Sequence, residues 1–292
     1  MTSLGGDEPR VGIGHFSMLG VSPPELVEHA HRAGFTAIGV RAATAAPGEE
    51  AWPVGLDSPM LRETIRRLDD TGLVVLDVEI IRLTGETKPR DALPLLEIGG
   101  ELGARFLNVF GDDADLARAH DNFAELVELS QPYGIRPAVE ATTYTGIRRV
   151  QDAAVVSAGT GGGLIIDPLH LHRSGGTPTD VHDLDPSVLT YVQMCDCPLA
   201  EPRGLARPTA LPRNQPLPTS DLQLEARAMR LLPGYGELPL TDLLAALPPG
   251  LSVSVEVPNL SLLDQVGPEA FARQAYRAVM HVLRSTSTYA TL

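Results

Sequence analysis

A chain of 292 residues with 43% hydrophobic content can bury a substantial core, and 37 acidic against 23 basic residues leave a formal net charge of −14. Such acidity opposes a phosphate backbone and argues against nucleic acid as a partner. The polar start MTSLGGDEPR lacks a charged region followed by an apolar one, no apolar run reaches bilayer length, and only Cys195 and Cys197 could form disulfides. The expected setting is therefore the cytoplasm, with no secretory signal and no membrane.

Residues 11–16 (VGIGHF) read as a first strand ending at His15. Ser22-Pro23-Pro24-Glu25 combines an N-cap serine, proline at the first helical position and glutamate three residues on, and the helix it opens stops at Gly34. Residues 35–40 form a second apolar strand with Arg41 at its end. Ser58-Pro59 opens a helix closed by Gly72, and residues 73–83 form a third strand carrying Asp77 and Glu79. The unit recurs: a helix ending at Gly103, a strand over 106–110 with Asn108, a helix ending at Gly134, and a strand over 135–142 with Glu140. A sixth strand over 164–166 ends at Asp167, a seventh over 188–194 carries Gln193, and an eighth over 251–257 carries Glu256. A last amphipathic helix covers about 268–284, and the tail STSTYATL carries no structural signal.

Eight strands alternating with helices predict an α/β fold, a single (β/α)8 TIM barrel over 1–292 with its core at about 11–285. A doubly wound open sheet is the competitor, but Gly12, Gly14 and Gly20 do not match the dinucleotide-binding spacing. One gap is long. Residues 198–240 begin PLAEPRGLARPTALPRNQPLPTS, rich in proline and arginine, and their place after the seventh strand puts them on the active-site face as a lid or a partner-subunit arm.

The sequence GGGLIIDPLHLHRSGG holds the centre of the chemistry: a buried apolar strand, Asp167 at its end, Pro168 stopping it, then His170 and His172. Alone, Asp167 reads equally as a metal or catalytic station and as the cap of a following helix. Glu140, Gln193 and Glu256 sit near the C-terminal ends of neighbouring strands, which converge on one mouth in a barrel. Three carboxylates gathered there repel one another, and a cation relieves this. Four oxygen donors suit one divalent ion, Mn2+ or Mg2+ before Co2+ or Zn2+.

The segments VEATTY, IIDPLHLHRSG, YVQMCDCP, PGYGELPL and VSVEVPN, in this order, resemble the xylose-isomerase-like superfamily of TIM barrels over about 11–284. Its sugar isomerases, ketose 3-epimerases and inosose or dehydroshikimate dehydratases share such a site. The resemblance implies that Glu140, Asp167, Gln193 and Glu256 hold the metal, that Glu140 and Glu256 exchange protons with the substrate carbon, and that His170 contacts the substrate. It implies an isomerase or epimerase of a small polyol, ketose or hydroxy-ketone working through a metal-stabilised enediolate. A dehydratase is the alternative, and a non-catalytic sugar-binding barrel is a third reading. Many epimerases have histidine where this chain has Gln193, and the histidine-rich three-zinc endonuclease branch does not suit a chain with 8 histidines and this acidity.

Further substrate-binding candidates are Glu79 and Asn108 at strand ends, against caps or loop hydrogen bonds, and His15, against a satisfied buried histidine. Arg227 and Arg230 before PGYGEL would bring positive charge to meet an anionic substrate or balance the carboxylates, against solvated helix arginines. Arg173 beside Gly175-Gly176 is a weaker candidate for holding phosphate. The resemblance also makes a homo-oligomer an expectation.

Overall fold

The computed structural model describes residues 9–286 and Tyr289; residues 1–8 of the stretch searched for a leader, and most of the STSTYATL tail, lie outside the described residues. Strands β1 (Val11–Ile13), β2 (Ala37–Arg41), β3 (Val74–Leu83), β4 (Phe106–Gly111), β5 (Arg136–Glu140), β6 (Gly163–Ile166), β7 (Leu189–Met194) and β8 (Ser252–Val255) pair in parallel and in chain order, and β8 closes onto β1. The principal helices of the surrounding ring are α1 (Pro23–Ala33), α2 (Pro59–Thr71), α3 (Leu93–Glu101), α4 (Leu116–Ser130), α5 (Val150–Ser157) and α11 (Pro268–Arg284). Shorter helices occupy the loops: α6 (Pro168–Arg173), α7 (Pro178–His182), α8 (Asp221–Ala228), α9 (Leu240–Ala246) and α10 (Leu260–Val266). No helix among the described residues is long and apolar enough to cross a membrane.

Local sequence explains the helix ends. The Glu25 carboxylate accepts from the Ser22 backbone N–H at 3.2 Å, and Ser58 Oγ accepts from Leu61 N at 3.0 Å, satisfying amides that open the two helices. Gly34 closes α1 at φ 104°, a left-handed conformation that glycine adopts without a Cβ penalty.

The barrel interior has an apolar floor. Ala37, Leu76, Ala138, Ile165 and Tyr191, from five strands, form one cluster with Val74 and Phe106 against it. The Phe106 and Tyr191 rings meet at 5.3 Å although β4 and β7 are not neighbours, a contact that only the interior permits. Side chains two apart share a strand face, so one step toward the C-terminal end the same inward rows carry Asn108, Glu140, Asp167 and Gln193, and Glu256 follows Ser254 in the same way. This alternation places the polar layer directly above the floor.

Strand β3 needs one irregularity to join that layer. Its pairing with β2 shifts between Ile38 and Gly39, where Val75 and then Asp77 are the partners and Leu76 is passed over. The bulge turns Asp77 and Glu79 inward after Val74 and Leu76 have filled the floor. Gly39 makes the space: a Cβ there would stand 3.0 Å from both Asp77 Oδ1 and Glu79 Oε1.

Two expectations need correction. The first strand stops at Ile13, and His15 opens a 3-10 turn, His15–Met18, because its ring is drawn to backbone groups on two sides. The gap at 198–240 is also no plain loop: it holds a 3-10 turn at Pro212–Asn214 and the helix α8, capped by Ser220 Oγ accepting from Gln223 N at 3.2 Å. The charged face of α8 masks the apolar Leu224, Ala226 and Ala228, which are buried.

Candidate active site

A cavity of about 250 Å3 opens at the C-terminal mouth. Glu79, Asn108, Glu140, His170, Arg227, Arg230 and Glu256 line it, together with Gln215, Pro216, Leu217, Thr219 and Gln223 from the long segment. Asp167 and Gln193 are 3% and 2% exposed and stand behind this lining. His15 is not part of it, which corrects the expectation of a substrate contact. Its Nε2 meets Val21 O at 2.8 Å and its Nδ1 accepts from Arg41 N at 3.0 Å, so both ring nitrogens brace backbone. Burial, aided by the Arg41 charge, pushes its pKa down to about 4 and keeps it neutral.

Asp167 combines its two sequence readings. Its Oδ1 accepts from Leu169 N at 2.8 Å and His170 N at 3.1 Å, capping α6, while its Oδ2 accepts from the Arg230 guanidinium. Burial works to raise its pKa, but Arg230, His170 and these amides together hold it below the usual carboxylate range. His170, on α6, points its ring into the acids. Its Nδ1 lies 2.9 Å from Thr143 Oγ1, and its Nε2 lies 3.3 Å from Arg230 Nη2 and 3.7 Å from Glu140 Oε1. A guanidinium has only donors, so Nε2 is the acceptor and Nδ1–H donates to Thr143. Burial pushes the His170 pKa down to about 4, and the Tyr144 ring stands edge-on at 5.7 Å. As the structure stands, neither His170 nitrogen is free for a substrate.

The two glutamates are held less firmly. Burial first, then repulsion from Glu256 and Asp167, pushes Glu140 well above the carboxylate range. Glu256 accepts from Gln193 Nε2 at 2.7 Å through Oε1, and its Oε2 lies 3.1 Å from Arg230 Nη1. Burial nevertheless raises it to about 8, with Arg230 opposing and Glu79 and Asp167 adding to the rise.

On the other side of the mouth, Arg41 reaches Glu49 at 3.1 Å and Glu79 at 3.3 Å. Burial raises Glu79, with Arg41 opposing. Arg41, Glu49, Arg82, Phe16 and Tyr144 also line the cavity and were not among the expected site residues. Arg41 carried a signal, its place at the end of the second strand; Glu49 and Phe16 carried none. Arg173 is a further correction: it makes a two-pronged pair with Glu225 at 2.7 and 2.8 Å, tying α6 to α8 instead of facing a phosphate.

Glu140, Asp167 and His170 each place one ligand atom within 4.8 Å of the others, a cluster that could hold a metal ion. The donor chemistry suits a divalent ion: Glu140 pairs with no arginine, and the buried Gln193 Oε1 has no hydrogen-bond partner among the described residues.

No family model and no curated protein sequence matches the chain. Solved structures do. The IolI protein with a zinc atom aligns at TM-score 0.73 and 16% identity, over 97% of this chain and all of that one. The chain has the xylose isomerase-like TIM-barrel fold. A D-psicose 3-epimerase from Clostridium cellulolyticum H10, solved with D-tagatose, aligns at TM-score 0.66 and 13% identity over 94% of this chain and 98% of its own. A fusion of a xylose isomerase-like TIM barrel with 4-hydroxyphenylpyruvate dioxygenase aligns at TM-score 0.73 and 19% identity; this chain covers 96% of itself and 43% of that protein.

Proposed function

We propose that the chain isomerises or epimerises a small hydroxy-ketone or ketose, moving a proton to and from the carbon beside a carbonyl through an enediolate. The observation that carries this reading is that two buried carboxyl groups, Glu140 from β5 and Glu256 after β8, line one cavity with pKa values raised by burial, Glu256 to about 8. A carboxyl that keeps its proton near neutrality can deliver it to carbon, and once ionised it is a stronger base than an ordinary carboxylate.

The remaining residues supply binding. Glu79 Oε1 and Asn108 Oδ1 are buried without partners among the described residues, and each offers an acceptor to a substrate hydroxyl at the cavity wall. Arg227 lines the wall with no ion-pair partner among the described residues and brings positive charge to it. Glu140, Asp167, Gln193 and Glu256 would hold the divalent ion, Mn2+ or Mg2+ by their oxygen donors, and the bound ion would supply Lewis-acid polarisation of the carbonyl. The likeness in fold to a structure of D-psicose 3-epimerase with D-tagatose supports a ketose-sized substrate.

The test is proton exchange. Ketoses and hydroxy-ketones incubated with the protein and Mn2+ in D2O should gain deuterium at the carbon beside the carbonyl, read by NMR. Glu140→Gln should slow that exchange by about 10²- to 10⁴-fold. Absence of exchange across the panel would refute the reading, and loss of water from the substrate would assign the dehydratase instead.

A further inference from the structure

Arg230 stands where the acids converge, and it is 2% exposed. Its Nη1 donates to Asp167 Oδ2, lies 3.1 Å from Glu256 Oε2, and is 3.3 Å from Glu256 O and 3.5 Å from Cys195 Sγ. Its Nη2 meets His170 Nε2 at 3.3 Å, and its Nε donates to Ala226 O at 2.7 Å. All three guanidinium nitrogens are engaged, and the forked geometry is what lets one side chain serve two carboxylates and an imidazole together.

The backbone around it is held as firmly. Arg230 follows α8 and lies between two isolated bridges, Met229 to Asn259 after β8 and Leu231 to Asp196 after β7. Asn259 Nδ2 donates to Arg230 O at 2.8 Å. Asp196 accepts from the amides of Cys197, Gly234 and Leu238 at 2.8 to 3.0 Å, folding the PGYGEL turn that leaves this position. A residue delivered by a loop is thus set as rigidly as one on a strand.

We propose that Arg230 is the resident cation of this acid ring: its guanidinium takes Asp167 and Glu256 in the way a divalent ion would, and an ion enters only by displacing it. The inference rests on reading Glu140, Asp167, Gln193 and Glu256 as the ion's ligands. Asp167 Oδ1 already accepts from two α6 amides and Glu256 Oε1 from Gln193, so the oxygens least committed within the protein's own hydrogen bonds are the ones Arg230 holds. Two cations cannot share them without strong repulsion. Displacement releases Asp167 Oδ2, Glu256 Oε2 and His170 Nε2 together. It also frees a guanidinium already at the cavity wall, so ion uptake and the arrival of a new donor for substrate become one event.

Calorimetric titration of the chelator-treated full chain with Mn2+, with thermal unfolding in its presence and absence, tests this for wild type, Arg230→Met and Arg230→Lys. Wild-type unfolding should move by no more than about 1 °C on adding Mn2+. Arg230→Met should melt several degrees lower without metal, recover with Mn2+, and bind Mn2+ at least about tenfold more tightly than wild type. Arg230→Lys, which keeps the charge and loses the fork, should fall between them. Wild type binding Mn2+ as tightly as Arg230→Met overturns the proposal. Should Arg230→Met not fold, Arg230→Lys decides, and an affinity no better than wild type overturns it equally. No turnover is read: a gain in Mn2+ affinity by a protein that exchanges no proton would leave this inference standing and remove the proposed function. Proton exchange with no gain would do the reverse.

Discussion

Two buried arginines face each other across the mouth, each between two carboxylates, and they are finished to different degrees. Arg230 bonds through every guanidinium nitrogen to Asp167, Glu256, His170 and backbone, and Asp167 is held below the usual carboxylate range. Arg41 bridges Glu49 and Glu79, yet its Nε and Glu79 Oε1 lack partners among the described residues, and burial raises Glu79. A satisfied buried network fixes geometry, whereas an unsatisfied one retains polar atoms that a ligand can complete. Without an ion, the Arg230 side is therefore the completed wall of the site, and the Arg41 side is the wall whose polar atoms a ligand can complete.

Removing each arginine should separate the two walls. Arg230→Met strands Asp167 and Glu256 in the interior and should cost about 3–5 kcal/mol in urea unfolding without metal, the usual penalty for breaking a buried ion pair. Arg41→Met should cost less, about 1–3 kcal/mol, because the network it breaks is already incomplete, with Arg41 Nε and Glu79 Oε1 unpartnered among the described residues. Equal losses for the two variants would erase the distinction.

The pH dependence sharpens it further. Burial raises the Glu256 pKa to about 8 in the fold, against 4.5 for an ordinary glutamate, so between those values the folded chain binds a proton that the unfolded chain has released. Its contribution to stability is therefore complete below about pH 4.5 and is lost as pH rises toward 8, with a slope of at most about 1.4 kcal/mol per pH unit. Glu256→Gln should flatten that slope in urea titrations run across the window. Asp167 acts oppositely and outside it: its pKa is lowered, so its contribution is present above the ordinary carboxylate range and disappears as pH falls through its lowered value.

Much of this site was legible one residue at a time. Ser22, Ser58, Gly34 and Gly72 mark helix ends because caps are satisfied by atoms within a few residues. Glu140, Asp167, Gln193 and Glu256 were found because strand side chains alternate with period two and a barrel gathers its strand ends. His15 stayed open between a substrate contact and a satisfied buried histidine, since nothing local reveals that both its nitrogens meet backbone, at Val21 and Arg41. Arg230 was expected at the mouth, either to meet an anionic substrate or to balance the carboxylates, but its particular partner Asp167, 63 positions away, has no trace in a segment without apolar periodicity.

The sequence by itself determined the (β/α)8 order and the placing of the acids at strand ends, because these follow from short-range apolar patterns, caps and the convergence of barrel strands. Only the tertiary structure decided which acids have raised pKa values and which a lowered one, which His170 nitrogen accepts, and which carboxylates Arg230 takes. Those properties depend on burial and on partners brought together from distant positions, and both exist only once the barrel has closed.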